Sequence, residues 1–159
     1  MKFSAQEEYG LRCLLQVARR GASATIPQIA AAEGLSTTHV AKLLMILRRE
    51  GWVDSTRGQA GGYTLAKPPS EIMVRDVLGS LGGQLYDEEF CVRHSGQLDI
   101  CKHAVDCSVR SLWQQMQAAV DQVLAGISLA DLFAEVEATN VTFFSERPVP
   151  ERPVAGVSA

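Results

Sequence analysis

The chain has 159 residues, of which 47% are hydrophobic and 21% charged, and its formal net charge is −3. This length fits one globular domain, or a small domain with a dimerisation element appended to it. No apolar run approaches the roughly 18 residues that cross a bilayer, and the N-terminus lacks the core of a signal peptide. The sequence therefore predicts a cytoplasmic protein, in which clustered cysteines more often bind metals or act in redox chemistry than form structural disulfides.

The charge is unevenly distributed along the chain. Residues 1–67 carry nine Lys and Arg against five Asp and Glu, a local charge of +4, whereas the rest carries six against thirteen, a charge of −7. A basic half beside an acidic half is expected where a DNA-reading module is joined to a module with another task.

Three helices are predicted in the basic half. Ser4-Ala5-Gln6-Glu7 has the spacing of a capping box, and apolar residues recur at helical spacing from there to Arg20. A second, short helix opens at Thr25, and a third is capped by Ser36. The inward stripe of the third helix is predicted to be Val40, Leu43, Leu44 and Leu47.

The second and third helices have the pattern of a helix-turn-helix. Gly34 supplies the turn between them, and Leu35 is an apolar plug between crossed helices. In such a motif the second helix presents its first turns to base edges. The outward residues in these turns are Thr37, Thr38, His39 and Lys42. The alternative is a plain three-helix packing unit with no role in DNA recognition.

A β-hairpin is predicted directly after the third helix. Trp52-Val53-Asp54-Ser55 and Tyr63-Thr64-Leu65 form its strands, and the tip between them contains Arg57, Gly58 and Gln59. Glycines let a backbone approach a phosphate, and a narrow minor groove concentrates negative potential around an arginine. This hairpin is therefore interpreted as a DNA-binding wing, although the glycines alone would also serve a turn.

The helix-turn-helix and the motif Arg57-Gly58-Gln59-Ala60-Gly61-Gly62-Tyr63 resemble the Rrf-type family of bacterial winged-helix regulators, over about residues 1–135. The resemblance implies a mainly α fold with a small β-hairpin, that is, a winged helix-turn-helix plus a long dimerisation helix. It also implies a homodimeric repressor that binds double-stranded DNA at a palindromic operator, with no membrane partner and no enzymatic activity. In that family the third helix enters the major groove and the wing the minor groove. The DNA-binding residues would then be Thr37, Thr38, His39, Lys42, Arg57, Gly58 and Gln59.

Three of the four cysteines lie in a polar segment, with the spacing C-x9-C-x5-C. These are Cys91, Cys101 and Cys107, whereas Cys13 lies in an apolar run and is predicted to be a small buried residue. A zinc site usually has a tight C-x2-C pair, which this segment lacks, but iron–sulfur ligands tolerate irregular spacing. We therefore predict an iron–sulfur cluster that controls DNA binding. A thiol redox switch, a zinc site and an inert loop are the alternatives.

The resemblance also bears on the fourth ligand. NsrR-like members take a carboxylate from the first helix of the partner subunit, which corresponds to Glu8 here, whereas IscR-like members use a histidine where this chain has Arg110. His94, His103 and Glu33 are further candidates. Three cysteines and a carboxylate imply a [4Fe–4S] cluster, with [2Fe–2S] second. The predicted ligand set is Cys91, Cys101, Cys107 and Glu8.

The remaining sequence predicts a short helix over residues 72–81, a long amphipathic helix from Ser108, and a last helix that Ser128 caps and that ends near Ala138. The apolar stripe of the long helix is too extended for a small domain to cover, so it is predicted to pack on a symmetry mate rather than act as an intramolecular lid. The predicted organisation is a winged-helix domain over 1–83, a cluster-binding loop over 84–107, dimerisation and C-terminal helices over 108–140, and a disordered tail over 141–159.

Two other functions fit parts of the sequence. Cys107 and His103 could form a thiol–imidazole pair, the nucleophile of an enzyme. A regulator of the same fold without a cluster would be switched by cysteine oxidation, by a small molecule or by a partner protein.

Overall fold

The computed structural model describes residues 4–56, 58, 61–82, 84, 86–87, 89–97, 101 and 107–133. The chain order is α1 (Ala5–Arg20), α2 (Ile26–Glu33), α3 (Thr37–Arg49), β1 (Val53–Thr56), β2 (Gly62–Leu65), α4 (Val74–Ser80), α5 (Phe90–Arg93) and α6 (Ser108–Leu124). The predicted mainly α fold with one β-hairpin is confirmed. The predicted tail and most of the predicted last helix lie outside the described residues.

The first helices begin where the sequence predicted. Ser4 Oγ accepts a hydrogen bond from the Glu7 amide at 3.3 Å, and the Glu7 carboxylate accepts one from the Ser4 amide at 2.5 Å, which completes a capping box at α1. At α3, Ser36 Oγ accepts a hydrogen bond from the His39 amide at 3.2 Å. Both serines satisfy amides that a helix leaves without a backbone partner, and they fix the first residue of each helix.

A single apolar core joins α1, α2 and α3. The predicted inward stripe of α3 is buried in it, and Cys13 of α1 is fully buried, as predicted. Ile72, Val77 and Leu81 extend the same core toward α4. The residues with the largest fully buried side chains include Leu14, Ile29, Leu43, Leu44, Leu47, Ile72, Leu81 and Leu129.

The hairpin is anchored to the segment between α1 and α2. Strands β1 and β2 pair antiparallel, with Val53 opposite Leu65 and Thr56 opposite Gly62. The backbone of Tyr63 also exchanges two hydrogen bonds with that of Ala24, at 2.8 and 2.9 Å. A Cβ atom at Gly62 would lie only 2.8 Å from the Ala24 carbonyl oxygen. Gly62 therefore serves a close contact within the protein, in addition to any role of the hairpin tip.

The segment after α6 returns to the core. The Leu129 amide donates to the Ile72 carbonyl at 2.7 Å, and the Val74 amide donates to the Ile127 carbonyl at 3.0 Å. This pairing holds residue 72 in extended backbone, which is why α4 begins at Val74 rather than at the predicted position 72. Ser128 caps the next turn as predicted, because the Asp131 carboxylate accepts from its amide at 2.7 Å and its hydroxyl accepts from the Asp131 amide at 3.3 Å.

No helix among the described residues is both long enough and apolar enough to cross a membrane.

We expect Gly62→Ala to lower the free energy of unfolding by about 1–3 kcal/mol, the usual cost of forcing an atom into a packed site. Gly79→Ala is the matched control, because a Cβ at this position of α4 meets no atom within 4 Å. The control should be neutral or should stabilise α4 by up to about 1 kcal/mol. Urea unfolding followed by circular dichroism measures both, and equal stability of the two variants would contradict the close contact.

Candidate DNA interface and cysteine site

The outward face of α3 is set by the burial of the opposite face. Val40, Leu43, Leu44 and Leu47 fix the rotation of the helix, and Thr37, Thr38 and Lys42 are consequently exposed at its N-terminal turns. Their exposure leaves them accessible to a DNA groove. The assignment of these residues to DNA binding stays a prediction.

His39 differs from its neighbours on α3, because its side chain is half-buried. Its ring meets the Tyr9 ring of α1 edge-on, with centroids 5.6 Å apart and planes at 87°. The guanidinium carbon of Arg12 lies 5.5 Å from the centroid of the same tyrosine ring. Part of the His39 ring therefore packs on α1 instead of pointing wholly outward, as the helical pattern alone had placed it.

At the hairpin tip, Gly58 is exposed and has φ +113°, a backbone conformation that favours glycine. Its carbonyl accepts a hydrogen bond from the Gly61 amide at 2.9 Å, which closes the turn. Arg57 and Gln59, the other two predicted wing residues, lie outside the described residues. The hairpin follows α3 after three residues, as a winged helix requires.

Cys91 and Cys107 share one neighbour, Arg110. Cys107 precedes α6, and its sulfur accepts a hydrogen bond from the Arg110 amide at 3.3 Å. The Arg110 guanidinium interacts with Cys91 and, more weakly, with Cys107, and the Cys91 interaction is the largest cause that raises the pKa of Arg110. Cys91 itself lies in α5, a short helix where the sequence had predicted only a loop.

Aromatic side chains lie next to Cys91 and to its neighbour Phe90. The Tyr86 hydroxyl lies 4.0 Å from Cys91 Sγ, and burial followed by this contact raises the pKa of Tyr86. Phe90 lies between Tyr86 and His94, with ring centroids 5.4 and 4.2 Å away. His94 Nδ1 lies 2.8 Å from the Phe90 carbonyl oxygen, so one nitrogen of this candidate ligand already has a partner. His103 lies outside the described residues.

The structure does not gather all four predicted ligands within one chain. Cys101 is half-buried like Cys91 and Cys107, but among the described residues no group of three or more His, Cys, Asp or Glu side chains is placed to hold a metal ion. Glu8 lies on α1 with its side chain 59% exposed, 3.8 Å from Arg12. An exposed carboxylate is accessible to a second chain, which is where the resemblance places it.

Glu33 and Cys13 are both held within the helical core region and not at the cysteine site. The Glu33 carboxylate accepts hydrogen bonds from Arg12 Nε at 2.6 Å and from Gln16 Nε2 at 2.5 Å, so this candidate ligand joins α1 to α2. Burial raises the pKa of the Cys13 thiol from 9.0 to about 11, and Glu33 adds to the rise. Cys13 is therefore a poor ligand and a poor nucleophile compared with the accessible thiols.

Helix α6 has no buried residue over its seventeen positions. One side faces α4, where Val120 and Leu124 line a groove together with Leu78. The other side exposes large apolar side chains, which form what is here called the α6 stripe: Val109, Leu112, Met116 and Val123.

Sequence reasoning missed the role of Tyr86 and treated Arg110 only as a departure from a histidine. The available signal was the position of Arg110, three residues after Cys107, where the first turn of α6 brings it back to that sulfur.

Comparison with known proteins agrees with this geometry. The family model Rrf2, an iron-dependent transcriptional regulator, matches residues 3–135. The chain belongs to the Rrf2 family. Protein rrf2 of Nitratidesulfovibrio vulgaris is 32% identical over 137 residues, which cover 85% of this chain and 89% of the relative.

Two solved structures have the same fold. IscR of T. potens superposes with a TM-score of 0.69 at 29% identity, covering 89% of this chain and 93% of its own. CymR (YrzC), the global cysteine regulator of B. subtilis, superposes with a TM-score of 0.67 at 27% identity, covering 85% of this chain and 98% of its own. The Rrf2 family member described here is thus a DNA-binding transcriptional regulator with a winged-helix fold. The enzyme interpretation of Cys107 and His103 is wrong, because the relatives are regulators and not enzymes.

The four thiols should differ in reactivity. With iodoacetamide at pH 8, metal-free protein should be alkylated at Cys91, Cys101 and Cys107, while Cys13 should remain unmodified, because its raised pKa leaves about a hundredfold less thiolate and burial excludes the reagent. Peptide mass spectrometry measures each site, and alkylation in denaturant is the control that should modify all four. Modification of Cys13 at the rate of the other three in folded protein would contradict its burial.

Proposed function

We propose that this protein is a homodimeric repressor whose binding to a palindromic operator is controlled by an iron–sulfur cluster that responds to nitric oxide, iron or redox state. The observation that carries the cysteine site is the position of Cys91 and Cys107 around Arg110, at the start of α6. In this proposal residues 1–83 bind DNA, 84–107 hold the cluster, and α6 with the residues up to 140 forms the dimer.

The DNA-binding role is argued from the exposed N-terminal turns of α3. Thr37 and Thr38 offer hydroxyl groups to base edges, and Lys42 offers a charge to a phosphate. The half-buried His39 is less available, since its ring packs on Tyr9. The wing residues Arg57, Gly58 and Gln59 would add contacts to the minor groove.

The dimer is argued from the α6 stripe. Its members are spaced by three, four and seven residues, which is the spacing of one face of a helix that packs along another helix. Their exposed fractions run from 36% for Met116 to 55% for Val109, although each is a large apolar side chain. A second copy of α6 would cover both stripes at once, because a two-fold interface uses the same surface on both subunits. Two-fold symmetry also matches a palindromic operator.

We expect Leu112→Glu to convert the dimer into monomer at micromolar concentration, with the dissociation constant raised at least about tenfold, because the unpaired charge is buried twice in a symmetric interface. Gln122→Glu is the matched control, since residue 122 is exposed on the polar side of α6. Sedimentation velocity measures the mass of each variant. A dimeric Leu112→Glu protein, with wild-type helicity, would contradict the α6 interface.

The donor chemistry of the cysteine segment fits an iron–sulfur cluster. Cys91, Cys101 and Cys107 would supply three thiolates, and Glu8 of the partner subunit the fourth donor. All three thiols are partly exposed, and Cys91 and Cys107 already lie beside one cation, Arg110. A bound cluster would supply iron–thiolate bonds that nitric oxide, oxidants or iron loss can break.

The chain itself offers a route from this site to α3. Cys107 begins α6, and the segment after α6 is held in the core by the Leu129–Ile72 hydrogen bond at 2.7 Å. A change in how the three cysteines are held would act on the start of α6. The packing of Leu129 in the core, and of Leu81 against Gly10 of α1, would carry a shift in α6 toward the DNA-binding helices. A switch of this kind requires that the ordered and the released cysteine segments bind DNA unequally.

A second candidate is a regulator without a cluster, switched by oxidation of the same cysteines. The likeness to CymR and the separation of the predicted ligands within one described chain both support it. Cys91, Cys101 and Cys107 are all partly exposed, so oxidants can reach their thiols.

Anaerobic purification separates the two candidates. We expect a brown dimer that absorbs at about 400–450 nm, with iron and sulfide in equal amounts, and we expect Cys101→Ala to lose the colour and the difference in operator binding between loaded and metal-free protein. Cys13→Ala is the control that should keep both, because Cys13 is buried away from the site. A colourless wild-type protein that still binds its operator, and releases it on oxidation with peroxide, would favour the cluster-free regulator.

A further inference from the structure

One side chain on the exposed face of α3 has no role in the proposed function. Met45 is 64% exposed, the largest exposed fraction among the large apolar residues of the DNA-binding helices. It follows Thr38 by seven residues and Lys42 by three, so these three side chains lie on one side of the helix. Arg49, four residues further, continues the same side.

The position of Met45 is opposite the buried stripe of α3. At 100° per residue, it lies within about 60° of Thr38, Lys42 and Arg49, and about 160° from both Leu43 and Leu47. Lys42 and Arg49 are exposed on either side of it. An apolar side chain thus occupies the middle of a polar and basic surface that the N-terminal turns of α3 share.

We propose that Met45 reads thymine, by packing its thioether against the C5-methyl group of that base in the major groove. The inference rests on the proposed DNA-binding role of α3. The thymine methyl is the apolar feature of the major-groove edges and is recognised by apolar contact, whereas the other features are hydrogen-bond donors and acceptors. A flexible, polarisable methionine adapts to such a contact without requiring a fixed angle.

The dimensions of α3 agree with this contact. A rise of about 1.5 Å per residue puts Met45 about 10 Å along the helix from Thr38, a distance of about three base pairs. Thr38 and Met45 would therefore read different base pairs of one half-site. Lys42 would lie before Met45 along the groove, where its charge can bind a flanking phosphate and hold the helix at that depth. Arg49 would lie after Met45, but its Nε donates to the Glu50 carboxylate at 2.9 Å, so only its other N–H groups would be offered to DNA.

Isolated exposed apolar residues are common on protein surfaces, so exposure alone carries little weight. What distinguishes Met45 is its place on the one helix face that the packing of α3 turns outward beside the predicted base-reading residues. The α6 stripe, which the proposed dimer would cover, belongs to another helix and does not include it.

The test pairs a side-chain change with a base change. A 30-base-pair duplex is first selected from a random pool with wild-type dimer, and each thymine is then replaced singly by deoxyuridine, which lacks only the methyl group. Fluorescence anisotropy at fixed salt gives the dissociation constant for wild type and for Met45→Ala. For wild type, one thymine position in each half-site should be sensitive. A single deoxyuridine at that position should weaken binding about fourfold, as expected for the loss of one apolar group.

In Met45→Ala both subunits lose the contact, so the unmodified duplex should bind about sixteenfold more weakly, and deoxyuridine at that same thymine should have no further effect. Lys42→Ala is the comparison variant: it should weaken binding to every duplex, lower the salt dependence by about two counterions (one per subunit), and keep the wild-type sensitivity to deoxyuridine. Met45→Leu should retain that sensitivity. Thermal melting checks that all variants keep the wild-type fold.

The inference is overturned if Met45→Ala shows the same deoxyuridine profile as wild type, or if no thymine replacement affects wild-type binding. Both results leave DNA binding by α3 intact. If wild-type dimer selects no duplex at all, the proposed function itself fails, and the role of Met45 fails with it.

Discussion

The burial of one face of α3 determines what the rest of this protein can do. Leu43, Leu44 and Leu47 are packed into the core that α1 and α2 complete, and each is almost entirely inaccessible to solvent. A helix held in this way cannot rotate without exposing apolar surface, at about 25 cal/mol per Å². The opposite face is thereby presented outward, and packing alone orients Thr37, Thr38 and Lys42, the predicted DNA-binding residues, toward solvent.

The hairpin and α6 are attached to this core by different means. The hairpin is held by backbone pairing, between its own strands and with Ala24, and Gly62 permits the close approach. Helix α6 is held at its C-terminal end, where the following segment pairs with residue 72, and none of its own residues is buried. A long helix of this kind gains its stability from packing on another surface, because isolated helices of about this length are marginal in water. This property of α6 is the basis of the proposed dimer interface.

The cysteine site lies where two weakly packed elements meet. Asp87 accepts hydrogen bonds from Arg93 at 2.7 and 2.8 Å, which ties the short α5 to a residue three positions before its start and lowers the pKa of Asp87. Arg110 then joins α5 to α6 through Cys91 and Cys107. Neither α5 nor α6 contains a buried residue, so a bound group or an oxidised thiol would change the arrangement of these helices at a lower cost in free energy than that of the buried core. Such a region suits the proposed sensing role of the cysteines, whereas the well-packed α3 suits the proposed role in DNA binding.

The sequence by itself determined the elements whose causes are local. Ser4 and Ser36 start their helices because a hydroxyl two or three residues away caps free amides, and the inward stripe of α3 follows from the period of 3.6 residues. The hairpin was predictable for the same reason, since two runs of strand-forming residues flank a glycine-rich turn within residues 52–65. The resemblance to the family came from the same residues together with the helix-turn-helix.

Only the tertiary structure decided the contacts between distant parts of the chain. Tyr9 meets His39 across thirty residues, Gly62 meets Ala24, and the Arg110 guanidinium meets Cys91. The spacing of apolar residues along the sequence does not predict such pairs, because they depend on how whole helices pack against one another. For the same reason, the sequence could identify the four predicted cluster ligands but not whether they meet. Residue type and spacing identify possible donors, whereas the packing of one chain, or of two chains on each other, brings donors together.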